Sequence, residues 1–317
     1  MGLVRNRMVD FALIFPGQGA QYVGMGKELY QQFPSSKVIF EKANHILGFD
    51  IAKLCFEGPK EELTRTDICQ PAILTASIAA LRALESVLPS GRINPKTVLG
   101  LSLGEYTALV AAGSISFEDA VSLVRKRGQF MEEASRQNPG TMASVIGFSL
   151  DDAKKVCEET GAEIANLNSP GQIVISGAKE KVEAASNLAK ERGARKVIPL
   201  DVSGAFHSSL MEPAAQRLRA EVNKIEVKIP KIKVVTNVSA GYESSPYEIK
   251  ENLITQVRSS VLWEDSIKFL AGQGVKRYIE VGPGKILAGL LRRIDPSLEC
   301  LNVETPADVE AVKGSLI

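Results

Sequence analysis

Cysteine is scarce in these 317 residues: Cys55, Cys69, Cys157 and Cys300 are scattered, and no two form a C-x-x-C pair. That scatter argues against a disulfide framework or a thiolate zinc site and suits a reducing compartment. A surplus of one charge is also missing, since 38 Lys and Arg oppose 37 Asp and Glu, for a formal net charge of +1. Such a balance gives no electrostatic case for nucleic acid as the principal partner. Long apolar runs are lacking too. Residues 72–88 are broken by Arg82 and Glu85, so no stretch is expected to span a bilayer, which takes about 20 apolar residues. Arg5 and Arg7 precede Phe11–Phe15, a run too short for the core of a secretory signal, which ends in Pro16-Gly17. A cytoplasmic protein is expected. Glycine-rich phosphate loops are absent. Gly17-Gln-Gly19 has Tyr22 where a dinucleotide fingerprint needs its third glycine, and Gly284-Lys285 is followed by Ile286, with no glycine five residues earlier.

What is present is an ordinary globular composition, 44% apolar and 24% charged. Short apolar runs alternate with amphipathic stretches. Phe11–Phe15 and Thr97–Leu101 read as buried strands, Gln70–Leu88 and Phe117–Gln137 as helices. Strands that feed helices imply a mainly parallel α/β sheet. Between them, Met142–Gly147, Ser149–Thr160, Glu163–Leu167, Gln172–Ser176, Ala178–Arg192 and Arg195–Val202 read as β-α-β-β-α-β, the ferredoxin-like order. Residues 137–204 are therefore expected to form a small inserted domain. Residues 1–136 and 205–317 would form a discontinuous large one, with strands at Lys231–Val238 and Val275–Val281 and helices at Leu210–Lys224, Asp265–Gln273 and Lys285–Arg293.

Gly100-Leu-Ser-Leu-Gly104 is the one G-x-S-x-G in the chain. It follows an apolar strand and opens a helix, the setting in which a sharp turn lifts a serine above a sheet. Ser102 is thus either a nucleophile or a plain helix N-cap. A serine nucleophile needs a base, and only His45 and His207 are available. His45 lies in an amphipathic surface stretch and reads as structural. His207 follows a strand and the Gly204-Ala-Phe turn, where α/β sheets carry their chemistry. No carboxylate is marked as a third member. On the helix from Phe117, Arg127 falls on the apolar stripe of Ala120, Leu123, Val124 and Met131, whereas Arg125 and Lys126 point to the polar sides. An inward arginine needs an anion, either an internal Asp or Glu or the carboxylate of a substrate, which a guanidinium grips with two parallel bonds.

Six segments, Phe15–Gln21, Gly100–Tyr106, Arg125–Met131, Asn168–Gln172, Gly204–His207 and Glu280–Lys285, resemble the malonyl-CoA:acyl carrier protein transacylases of fatty-acid synthesis, in order and over essentially the whole chain. The resemblance implies an α/β-hydrolase-like core with a ferredoxin-like insert. It implies Ser102 as the acylated serine, His207 as its base and Arg127 as the ligand of the malonyl carboxylate. Gln18 and Leu103 would supply the oxyanion-hole N–H groups, and the backbone carbonyl of Gln256 would orient the histidine. Phe206 resembles the malonyl-preferring pattern, in which a bulky side chain crowds an α-methyl group, worth only about 1–3 kcal/mol. Leu101 departs from the family, many of whose members carry His there. The implied substrates are malonyl-CoA and acyl carrier protein, with no metal or tightly bound cofactor and a monomer as the expected state. Arg195, Lys196, Lys285, Arg292 and Arg293 are candidates for a basic rim facing an acidic carrier protein. A serine hydrolase or thioesterase of the same fold, or a polyketide-synthesis acyltransferase, would share Ser102 and His207, although a hydrolase has little use for Arg127.

Overall fold

The computed structural model describes residues 10–89 and 93–316. Arg5 and Arg7 lie outside them. Strand β1 (Phe11–Phe15) is followed by four short helices, α1 (Lys27–Gln32), α2 (Pro34–Leu47), α3 (Ile51–Glu57) and α4 (Lys60–Leu63). The long α5 (Thr66–Val87) leads to β2 (Thr97–Gly100), α6 (Leu103–Ala111) and α7 (Phe117–Gln137). Next come β3 (Gly140–Ile146), α8 (Leu150–Thr160), β4 (Glu163–Ser169), β5 (Gln172–Ala178), α9 (Lys179–Glu191) and β6 (Lys196–Pro199). The chain closes with α10 (Glu212–Val222), β7 (Lys233–Val235), β8 (Tyr242–Glu243), α11 (Pro246–Gln256), α12 (Trp263–Gly272), β9 (Arg277–Val281), α13 (Ile286–Ile294), β10 (Glu299–Val303) and α14 (Pro306–Leu316).

Two sheets result. The larger has the order β10-β9-β1-β2-β7-β8. Its pairs are parallel except β7 with β8. Side chains alternate across β1: Leu13 and Phe15 enter the main core, while Ala12 and Ile14 enter a second cluster with Trp263 and Leu287. A parallel sheet covered on both faces requires such all-apolar strands. The smaller sheet, β4-β5-β3-β6, is antiparallel. Its order is the ferredoxin-like one, with α8 and α9 packed on it. It is stitched to the larger part by Leu167 N–H to Val261 O and Val261 N–H to Ala165 O, both 2.9 Å.

Several elements depart from expectation. The strand foreseen at 231–238 stops at Val235, because Thr236 and Asn237 turn their groups toward α6. The strand foreseen at 195–202 is only β6. A 3-10 turn (Ser209–Met211) precedes α10. The expectation that no segment could cross a membrane fails on length and composition alone, since α5 is long and apolar enough. Helix α5 is nevertheless buried almost throughout, packed by α2, α7 and α14, as a helix apolar all round is when it runs through a core.

Candidate active site

The carboxyl end of β2 places Ser102 at a forced turn. Its φ is +51°, a region costly for any residue with a Cβ and held only when its surroundings over-determine it. Here they do. Asn237 accepts from the Ser102 N–H through Oδ1 at 2.6 Å and donates from Nδ2 to Gly100 O at 2.7 Å, which clamps the turn from both sides. Glycine is required at 104 because a Cβ there would come within 2.1 Å of Phe15 O, and at 17 because a Cβ would come within 2.3 Å of Leu101 O. The β1 loop bearing Gln18 is thereby pressed against the turn. Leu103 is the first residue of α6, so its N–H lies outside the helix's own ladder, at the positive end of the helix dipole. Leu101 packs beside the second apolar cluster, and Gly17 lies against its backbone. The side chain preceding Ser102 is thus purely apolar.

His207 also sits at positive φ, +58°, in the turn before the 3-10 segment, and it is buried. Its Nδ1 lies 2.8 Å from Gln256 O and its Nε2 lies 2.8 Å from Ser102 Oγ. A carbonyl can only accept, so Nδ1 carries the proton and Nε2 presents a lone pair. Arg127 Nη2 donates to the same Ser102 Oγ at 3.1 Å, which leaves the serine proton directed at His207. Burial, and then the Arg127 charge, push His207 down to about 4. The imidazole is therefore neutral at neutral pH. His45, by contrast, is exposed in the last turn of α2.

Arg127 faces inward from α7 and is 1% exposed. Among the described residues its partners are amide and hydroxyl oxygens, not an internal Asp or Glu. Its Nη1 donates to Gln70 Oε1 at 2.7 Å and its Nη2 to Gln256 Oε1 at 3.1 Å. No carboxylate among the described residues lies within 4.0 Å of it, and its Nε has no partner among them. Arg125 does not point simply to a polar side: it is half-buried, pairs with Asp67 at 3.3 Å and stacks on Phe49. Phe206 is buried beside His207. Arg195, Lys196, Lys285, Arg292 and Arg293 are all exposed, and Arg293 reaches Gln172 of the small sheet.

Gln70, Glu105, Thr236 and Asn237 were not expected at this site. Glu105 is fully buried one turn after Ser102. It accepts from Thr236 Oγ1 at 2.9 Å, Asn237 N–H at 2.9 Å and Gln256 Nε2 at 2.8 Å. Burial raises its pKa, opposed by those donors and by the charge of Arg127. Gln70 and Glu105 lie in apolar-rich stretches of α5 and α6, and a polar side chain in such a stretch is the one signal that could have marked two of the four.

A serine paired with a buried imidazole, beside a buried guanidinium that meets no carboxylate among the described residues, is chemistry for holding and moving an acidic acyl group. Comparison with known proteins agrees. The acyl transferase domain family matches residues 12–305. The malonyl CoA-acyl carrier protein transacylase of Bacillus subtilis (strain 168) is 48% identical over 308 residues, covering 96% of each chain. The crystal structure of an acyl carrier protein S-malonyltransferase from Vibrio cholerae superposes with a TM-score of 0.92 at 41% identity, covering 96% of this chain and 99% of that one. A type II PKS acyl-carrier protein in complex with its malonyl-transacylase matches with a TM-score of 0.93 at 39% identity, over 96% and 99% of the two chains. The chain belongs to the acyl transferase domain family.

Proposed function

We propose that the protein moves a malonyl group from malonyl-CoA to the phosphopantetheine thiol of an acyl carrier protein through a malonyl ester of Ser102. His207 Nε2 takes the Ser102 proton as Oγ attacks the thioester carbonyl. The tetrahedral oxyanion rests on the N–H groups of Gln18 and Leu103. The C–S bond then breaks, and coenzyme A leaves as its thiol with the proton from His207. In the second half the carrier thiol gives its proton to His207 and attacks the ester carbonyl, and Ser102 leaves with that proton restored. Such an exchange is ping-pong.

The observation that carries this reading is the Arg127 guanidinium, 3.1 Å from Ser102 Oγ and, among the described residues, without a carboxylate within 4.0 Å. An acyl group on Ser102 that ends in a carboxylate completes that charge; an acetyl group does not. The base also suits the reaction. A carbonyl rather than a carboxylate backs His207, so its imidazolium is weakly supported, which fits a thiol leaving group of pKa about 8.5 better than an amine. The acceptor reading draws on relatives named for malonyl transfer to acyl carrier protein. Phe206 favours malonyl over its α-methyl analogue, and the exposed basic residues from Arg195 to Arg293 receive the carrier.

Incubation with malonyl-CoA and holo carrier protein, followed by separation of the products, tests the whole. Malonyl-carrier is the expected product; free malonate as the main product would make the protein a hydrolase. The pH profile of kcat/KM follows from His207. The base works when neutral, its pKa lies at about 4, and so the profile stays flat as pH falls through 6.5 and drops only near 4. A fall centred near 6.5 would mean that the working imidazole is solvated.

A further inference from the structure

Gln256 does two things at once. Its backbone carbonyl meets His207, while its side-chain amide is shared among the groups around Ser102: Oε1 faces Arg127, and Nε2 donates to Ser102 O at 3.0 Å and to Glu105 Oε2 at 2.8 Å. The shortest of these bonds is the one to Glu105, and a hydrogen bond to a carboxylate is roughly twice as strong as a neutral one. Glu105 itself makes no hydrogen bond to Ser102 Oγ and no ion pair with Arg127 within 4.0 Å. The same Oε2 holds the Asn237 N–H, and so the residue that clamps the serine turn.

We infer that Glu105 is a positioning residue that anchors the Gln256 amide, so that Gln256 Oε1 holds the Arg127 guanidinium in place for the malonyl carboxylate. The inference rests on the malonyl-transfer reading above. It makes Glu105 a determinant of acyl selectivity although no substrate atom reaches it. What matters is the reach of an acceptor oxygen. Glu105→Asp keeps the charge but withdraws the carboxylate by one methylene. Glu105→Gln gives up the charge but can keep an oxygen at the Oε2 position, with its amide nitrogen toward the Thr236 hydroxyl, which can rotate to accept.

The test measures kcat/KM for malonyl-CoA and acetyl-CoA in each full-length variant. Wild type that fails to transfer malonyl would sink the functional reading before any variant is compared. Given wild-type transfer, Glu105→Asp is expected to lower the malonyl-to-acetyl ratio about tenfold, within the roughly hundredfold cost that a misplacement of about 1 Å carries. Glu105→Gln should stay within about threefold of wild type. Gln256→Met, which retains the backbone carbonyl, should lower the ratio as Glu105→Asp does, and the double variant should fall no further, because both act on one contact. A general loosening of the serine turn would slow both substrates alike. An unchanged ratio in Glu105→Asp, or losses that multiply in the double variant, would overturn the inference. Should Glu105→Asp not fold, the remaining pair decides: Gln256→Met must lower the ratio and Glu105→Gln must not, and any other pattern overturns it.

Discussion

Ser102→Ala is expected to yield a folded protein that gains no malonyl mass on brief mixing with malonyl-CoA, with turnover reduced at least about 10⁴-fold. The size of the effect follows from the site. Among the described residues, Ser102 Oγ is the hydroxyl bonded to His207 Nε2, at 2.8 Å, and Cys69 is no substitute for it, being buried with a thiol pKa that burial raises well above the ordinary range. Folding is expected to survive because the turn is clamped through the Ser102 N–H and Gly100 O, not through the hydroxyl, and the hydroxyl caps no backbone group of α6. Intact-mass spectrometry of wild type and variant decides it. A malonyl adduct that persists in the variant would place the nucleophile elsewhere.

Arg127→Ala should reduce kcat/KM for malonyl transfer about 10³-fold while acetyl transfer changes by less than about tenfold. The bond to Ser102 Oγ is lost for both substrates, and two further losses are at work. Truncation removes the fork that would grip the substrate carboxylate, which touches malonyl alone. It also strands Gln70 Oε1 and Gln256 Oε1 in a buried site, at about 1–3 kcal/mol per unsatisfied acceptor, which lowers stability whatever the acyl group. The ratio of the two substrates separates these effects, and thermal unfolding reports the second. Equal losses for malonyl and acetyl would reduce Arg127 to a structural role.

Much of this was legible in the residues. The strand–turn–helix around Ser102 showed because a short apolar run, two glycines and an immediate helix leave few conformations. Arg127 showed because helical periodicity counts every side chain on a face, so one cation on an apolar stripe stands out. The small sheet showed through the order of its six elements. The partners of Arg127 did not show. Periodicity says that a group is buried but not what it meets: where an internal Asp or Glu was one of two partners open for Arg127, the chain supplies two glutamine oxygens, with Glu105 one hydrogen bond further away. Asn237 was hidden for a different reason. It lies inside the run 231–238 that reads as strand, and only the tertiary demands of the serine turn end β7 at Val235. The helices between residues 27 and 63 were largely unassigned because they are short, between four and 14 residues, and helices of that length owe their stability to packing more than to local preference.

The acceptor behind His207 belongs to the main chain, and that has a consequence for how the enzyme can vary. No replacement of the side chain at 256 deletes a carbonyl. Drift at this position can therefore alter the grip on the acyl group while the tautomer of the base is inherited unchanged. An aspartate in the same role would tie the two together, since any substitution would disarm the histidine. Here the chemistry is carried by the path of α11, and selectivity by the side chain at its end, so a lineage can explore new acyl groups without first losing the reaction.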